Sequence, residues 1–195
     1  MRRLGSTDGA ALLIALIAMM LMTALVTALA LTTITETRIA SSYGVGIETF
    51  YAADAAIERA IDDLRTVPDW SVLAASAATS TFVDGEAGGA RTLSDGTSLD
   101  LGEETRMARQ GDGPPWRLFA HGALGGVLPA GRLTSRAYVV VWVADAPPRD
   151  GEEALGLLAQ AYGPQGARRS LYVVLARKPI NDSKGISVIS WREGP

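Results

Sequence analysis

The chain has 195 residues, 48% of them hydrophobic and 20% charged, and a formal net charge of −3. That length fits one ordinary domain, alone or with an anchor. The acidic balance gives no basic domain of the kind that nucleic acid requires, and the lack of cysteine excludes a disulfide framework, a cysteine-based zinc site and a lipoprotein anchor.

The first element is an apolar run. Arg2 and Arg3 precede it, and residues 10–35 carry no ionisable side chain. Residues 10–31 are Ala, Leu, Ile, Met and Val, broken only by Thr23 and Thr27. At ~1.5 Å per residue such a helix spans about 33 Å, close to the hydrocarbon core of a bilayer. Both threonine hydroxyls can bond back to the preceding turn, which makes them cheap in lipid. The two arginines favour a cytoplasmic N-terminus, so the rest of the chain is expected outside the cytoplasm. Two other readings compete. A buried core helix is seldom apolar on every face. A cleavable signal peptide would use the small-residue site Ala28-Leu29-Ala30, but the run is long for that purpose and the helical pattern continues past it.

The continuation is amphipathic. Ile47, Phe50, Ile57, Ile61 and Leu64 recur at helical spacing, with Asp54 falling in the seven-residue gap. Arg59 with Asp63 and Asp62 with Arg65 are favourable pairs, whereas Glu58 with Asp62 is like-charged. Each is worth only about 0.2–0.5 kcal/mol, so packing of the stripe must hold this helix. Ser41, Ser42, Gly44 and Gly46 together cost it about 2 kcal/mol of propensity. They mark either a kink or small-residue contact, or a segment that stretches when subunits pack. Pro68 ends the helix by pushing the residue before it out of the α region.

Residues 67–115 are rich in Ala, Ser, Thr, Gly and Asp, with poor periodicity. They are expected to form loops with short strands near 97–101 and 105–108. Strand signals dominate afterwards, at 116–121, 136–144, 155–162 and 170–177, with a final edge strand near 186–191. The unbroken apolar run from Ala137 to Ala144 implies a strand covered on both faces. Gly163-Pro164-Gln165-Gly166, completed by Ala167, Arg168 and Arg169, reads as the connection of a hairpin, and Pro147-Pro148-Arg149-Asp150-Gly151 reads as a turn. An α+β arrangement follows, with an antiparallel sheet laid on the outer half of the long helix, because stripe and sheet face each need a partner.

Catalytic constellations are not apparent. His121 is the single histidine, with no Ser or Cys elbow beside it in sequence. Glu103-Glu104 and Glu152-Glu153 are adjacent pairs in loop-like settings whose side chains diverge. The Asp/Gly loops have the residue types for calcium but not the spacing of an EF-hand loop. Gly44-Val45-Gly46 lacks the preceding strand of a phosphate loop.

Two blocks carry a family resemblance. The start Asp8-Gly9-Ala10-Ala11-Leu12-Leu13-Ile14-Ala15-Leu16 resembles a prepilin processing site. Thr35-Glu36-Thr37-Arg38-Ile39-Ala40 and Glu48-Thr49-Phe50-Tyr51-Ala52-Ala53-Asp54-Ala55-Ala56-Ile57-Glu58-Arg59-Ala60 are similar to PilX-type minor pilins of type IV pilus systems. With the readings above, a pilin-like α+β fold in five parts is expected. These are a leader (1–9), a transmembrane helix (10–33), its periplasmic continuation (34–66), a loop-rich region (67–115) and a sheet domain (116–195). The resemblance implies cleavage by a prepilin peptidase between Gly9 and Ala10, N-methylation of Ala10, and transfer of the helix from the inner membrane into a filament. The implied partners are that peptidase, the lipid bilayer and other pilins through the N-terminal helix. No cofactor, enzymatic activity or nucleic acid is implied. One position departs from the pattern. The fifth residue after the cut is Ile14, where most pilins carry a glutamate that pairs with a neighbour's amine. That departure suits a subunit at the filament tip. It also leaves open the GspK-like pseudopilins of type II secretion, which commonly lack the carboxylate, and an unprocessed single-pass scaffold.

Overall fold

The computed structural model describes residues 7–70, 73, 79–110, 115–127, 135–147, 152–177 and 185–194. Most of the expected leader, the Gly-Asp-Gly-Pro stretch at 111–114 and the turn at 148–151 lie outside the described residues.

Helix α1 runs from Thr7 to Thr66 without interruption, through the serines and glycines at 41–46. Those residues are therefore accommodated in hydrogen-bonded helix. The chain divides into two compact units, residues 1–44 and 45–195.

In the first unit every described side chain from residue 9 to residue 44 is exposed. Backbone bonds of the helix are supplemented by hydroxyls that each donate to the carbonyl four residues back. Thr23 donates to Met19 and Thr27 to Thr23, each at 2.8 Å. Thr32, Thr33, Thr35 and Thr37 repeat the pattern. The expected local satisfaction of Thr23 and Thr27 is thus observed.

The second unit is a five-stranded antiparallel meander against the last turns of α1. Strands β3 (Arg117–Ala123), β4 (Tyr138–Asp145), β5 (Glu153–Tyr162), β6 (Arg168–Arg177) and β7 (Ile186–Glu193) lie side by side in chain order. Val139, Val141, Val143, Leu155, Leu157, Ala159, Ala161, Leu171, Val173 and Leu175 turn toward α1 and form the main core with it. The helix answers with Ala52, Ala53, Ala56, Ile57, Ala60, Ile61 and Leu64, all 5% exposed or less. The contact stripe is mainly alanine, which the expectation built on large apolar residues had missed. Ile57, Ile61 and Leu64 belong to it, Phe50 is half-buried at its margin, and Ile47 is exposed. Asp54 is only partly exposed.

The opposite sheet face is also covered. Tyr138, Val140, Trp142 and Ala144 from β4 join Tyr162, Trp116, Leu99 and Leu101 in a second cluster. Leu101 opens helix α2 (Leu101–Ala108), which follows the small hairpin of β1 (Ala90–Thr92) and β2 (Ser98–Asp100). The short strand expected at 105–108 is therefore helix. Asp100 caps α2, its side chain accepting from the Glu103 amide at 2.9 Å, and that N-cap sets the helical register where alternation is weak. The double covering of β4 agrees with its unbroken apolar sequence.

Register in β3 shifts between Leu118 and Ala120. Phe119 and Ala120 both enter the α1-side core, and His121 comes opposite Val140. The outer edge of β3 is occupied by residues 80–84, through Ser80 N to Phe119 O at 2.8 Å, His121 N to Phe82 O at 3.2 Å and Asp84 N to His121 O at 3.1 Å. Between β5 and β6 the connection is a 3-10 turn, Pro164–Gly166. Arg168 and Arg169 are already strand, so the loop is shorter than expected. At its start, a Cβ on Gly163 would lie 2.2 Å from Thr49 Oγ1. Glycine is the residue that lets the helix come this close.

Candidate assembly surface

The unpartnered surface of residues 9–44 is where the sequence-predicted site residues lie. Gly9 and Ala10 are both helical and exposed, and a Cβ on Gly9 would meet nothing within 4 Å. Ile14 follows one turn later with 66% of its surface free. Leu16, Met19, Met20, Thr23, Ala24, Thr27, Ala28 and Leu31 line a shallow groove along one side of the helix. Long apolar side chains flank small ones there, the arrangement that lets apolar helices pack side by side in lipid or in a bundle. Each hydroxyl in the groove already has an acceptor, so no polar group must be desolvated unpaired when a neighbour docks.

The chemistry-bearing residues of the second unit are engaged in holding it together. His121 is 2% exposed, its Nδ1 2.7 Å from Asp84 Oδ1. Tyr138 donates its hydroxyl to the same oxygen at 2.8 Å, and Arg91 Nε donates to it at 3.2 Å. Arg91 also donates to the carbonyls of Gly88, Asp84 and Glu86. The cluster ties the Asp/Gly loop to the sheet through the Asp84 carboxylate. Burial, reinforced by the hydrogen bond to Asp84, raises the Tyr138 phenol well above its ordinary range.

Adjacent glutamates are tied into the fold by named partners. Glu103 and Glu104 lie on α2, a helix rather than the expected loop. Glu103 pairs with Arg106, while Glu104 accepts from the Tyr162 hydroxyl at 2.8 Å and pairs with Arg168 at 2.9 Å. Tyr162 is driven upward in pKa mainly by burial. Glu153 opens β5 and pairs with Arg177. Glu103 and Glu104 thus engage different partners.

Arg177 itself was not legible as a key residue. It is 3% exposed, donates to Val67 O at 2.7 Å and Pro68 O at 3.2 Å, and lies 4.6 Å from the centroid of the Trp70 ring. Trp70 Nε1 in turn donates to Leu64 O at 3.2 Å. A cation thus closes the carbonyl end of α1, where the helix dipole favours positive charge. Further up, Glu48 Oε1 accepts from Ser135 Oγ at 2.8 Å and from the Arg136 amide at 3.2 Å, pinning α1 to the segment that leads into β4.

Compared with known proteins, residues 8–58 match the family model described as PilX N-terminal. The match covers the apolar run and the beginning of the packed half of α1. No curated protein and no solved structure matches the chain.

Proposed function

From the PilX N-terminal domain that the chain carries, the mark of a minor pilin of type IV pili, we propose that it is processed and assembled as such a subunit. A prepilin peptidase cuts between Gly9 and Ala10 and Ala10 is N-methylated. Residues 10–33 hold the chain in the inner membrane until it enters a filament. Residues 34–66 continue the helix outside the cytoplasm and carry the sheet domain.

The observation that supports this reading best is the uninterrupted helix, uncharged from residue 10 to 35, with every side chain from 9 to 44 unburied and every threonine hydroxyl at 23, 27, 32, 33, 35 and 37 satisfied within the helix. Such a surface suits lipid first and neighbouring apolar helices afterwards. Ile14 supports placement near the tip. Without a carboxylate there the subunit cannot neutralise a neighbour's N-terminal amine, which the repeating shaft requires and a terminal position does not. The same residue favours a second reading, a GspK-like pseudopilin of a secretion system.

Intact mass and N-terminal sequencing of the protein from its native membrane test the proposal. The expected start is methylated Ala10. A start at Leu31 would mean a cleaved signal peptide, and an intact Met1 would mean an unprocessed scaffold; either overturns the reading. Gly9→Arg should stop processing and keep the chain out of filaments without disturbing the helix, since the space around Gly9 is open.

A further inference from the structure

The second unit has a cavity of about 450 Å3 between α2 and the start of β3, lined by Gly102, Thr105, Arg106, Arg109, Arg117, Leu118 and Ala87. Three arginines contribute to its lining, on a chain whose net charge is −3. They differ in how far each is already engaged. Arg106 is neutralised by Glu103 one turn before it. Arg109 is held in place by its Nε, which donates to Trp116 O at 2.7 Å. The Arg117 side chain is half-buried and makes no hydrogen bond or ion pair among the described residues.

We propose that this groove binds a carboxylate-bearing peptide segment of a partner protein, with Arg117 and Arg109 gripping the carboxylate and Leu118 and Ala87 receiving an apolar neighbour. The forked donors of arginine match the two oxygens of a carboxylate. A half-buried arginine whose cation has no partner among the described residues is left with donors that an arriving anion can satisfy. The volume lies in the range of sites that enclose several groups, more than a lone inorganic anion fills. Nucleic acid fits poorly, because a few cations in one hollow cannot follow a phosphate backbone and the rest of the chain is acidic. The inference holds whether or not the leader is cleaved.

The test uses the full chain in detergent micelles and a fluorescent peptide, Gly-Leu-Glu-Glu-Leu-Gly, followed by anisotropy. Saturable binding that weakens with added salt is expected, and Arg117→Gln should reduce affinity by about tenfold or more. Arg65→Gln, whose partner Asp62 lies on α1, should leave it unchanged. The fold is monitored in parallel by the near-ultraviolet circular dichroism of Trp142 and Trp116. Absence of peptide binding overturns the proposal, as does equal binding by the Arg117 variant with its fold intact. Inorganic phosphate that competes at concentrations similar to the peptide's would reassign the groove to free anions. Asp112→Asn, in the segment joining α2 to β3, should not alter affinity. A tenfold gain in that variant would make the chain's own aspartate the occupant and sink the proposal.

Discussion

Helix α1 contains two stretches that meet opposite demands. Residues 9–44 expose every side chain, and their threonine hydroxyls are satisfied within the helix. Residues 45–66 include Thr49, Ala52, Ala53, Ala56, Ile57, Ala60, Ile61 and Leu64, each 5% exposed or less. The first stretch is specified by composition, since any apolar side chain of moderate size suits lipid. The second is specified by position, because its alanines set how closely the helix approaches the sheet. A family model that matches both within residues 8–58 therefore spans two kinds of constraint.

The contrast breaks most visibly with a matched pair of truncations. Leu64→Ala removes a side chain with no exposed surface and is expected to cost about 2–5 kcal/mol, the transfer loss plus the cavity left behind. Leu21→Ala removes one that is 65% exposed and should change the stability of the sheet unit by no more than ~0.5 kcal/mol. Chemical unfolding of the full chain in micelles, followed by near-ultraviolet circular dichroism, reads both. Equal losses would mean that the anchor stretch contributes packing the contrast denies it.

A smaller effect sharpens the positional side. Gly163→Ala would place a Cβ 2.2 Å from Thr49 Oγ1, so the turn between β5 and β6 or the helix must shift. Overpacking of this kind costs about 1–3 kcal/mol. The double variant Gly163→Ala with Thr49→Ala should recover part of that loss, because the hydroxyl is the atom struck. Failure to recover any would assign the cost to the backbone of the turn instead.

Much of this architecture was readable from the sequence, and the exceptions have physical causes. The apolar run, the helix end before Pro68 and the strands from Arg117 onward follow from hydropathy, proline chemistry and β-branching, which act locally. The strand β4 announced its double burial through Tyr138-Val139-Val140-Val141-Trp142-Val143. The alanine stripe was missed because alanine gives little amphipathic signal although it permits the closest approach. Helix α2 was missed because Leu101–Ala108 is short, and its register comes from the Asp100 cap rather than from alternation. Arg177, 3% exposed, and the cluster of Asp84, His121 and Tyr138 depend on pairings across the fold, for which sequence spacing offers no cue. The expectation for Gly9 and Ala10 rests on a resemblance at their place before the apolar run, which packing within this chain does not express.

A titration separates the packed unit from the anchor by pH. Burial raises the Tyr162 phenol above its ordinary value near 10, so the folded chain keeps a proton that the unfolded chain releases. Its contribution is complete below about pH 10 and is lost as pH rises beyond that. Tyr138 acts in the same direction. Stability of the sheet unit should therefore fall above about pH 10 while the helical signal of residues 9–44, which contain one exposed tyrosine, Tyr43, persists. Tyr162→Phe should cost about 1 kcal/mol at neutral pH through its lost hydrogen bond, and the alkaline decline should become shallower. An unchanged decline in that variant would assign the slope to other groups.

The smallest effect tests the contrast at constant chemistry. Thr27 and Thr49 make the same bond, hydroxyl to the carbonyl four residues back, at 2.8 Å to Thr23 O and 2.7 Å to Val45 O. Thr27 is exposed and Thr49 is 0% exposed. Valine keeps the branched shape and removes the hydroxyl in each case. At position 27 the carbonyl retains its backbone bond and the new methyl suits lipid or a neighbouring helix, so the change should stay within ~0.5 kcal/mol. At position 49 the methyl must fit the notch left by Gly163 while a part-buried carbonyl loses an additional donor, and a loss of about 1 kcal/mol is expected. Thermal unfolding of the two variants in the same micelles decides it. If Thr27→Val costs as much as Thr49→Val, the anchor stretch is held by position-specific contacts after all, and composition does not suffice to describe it.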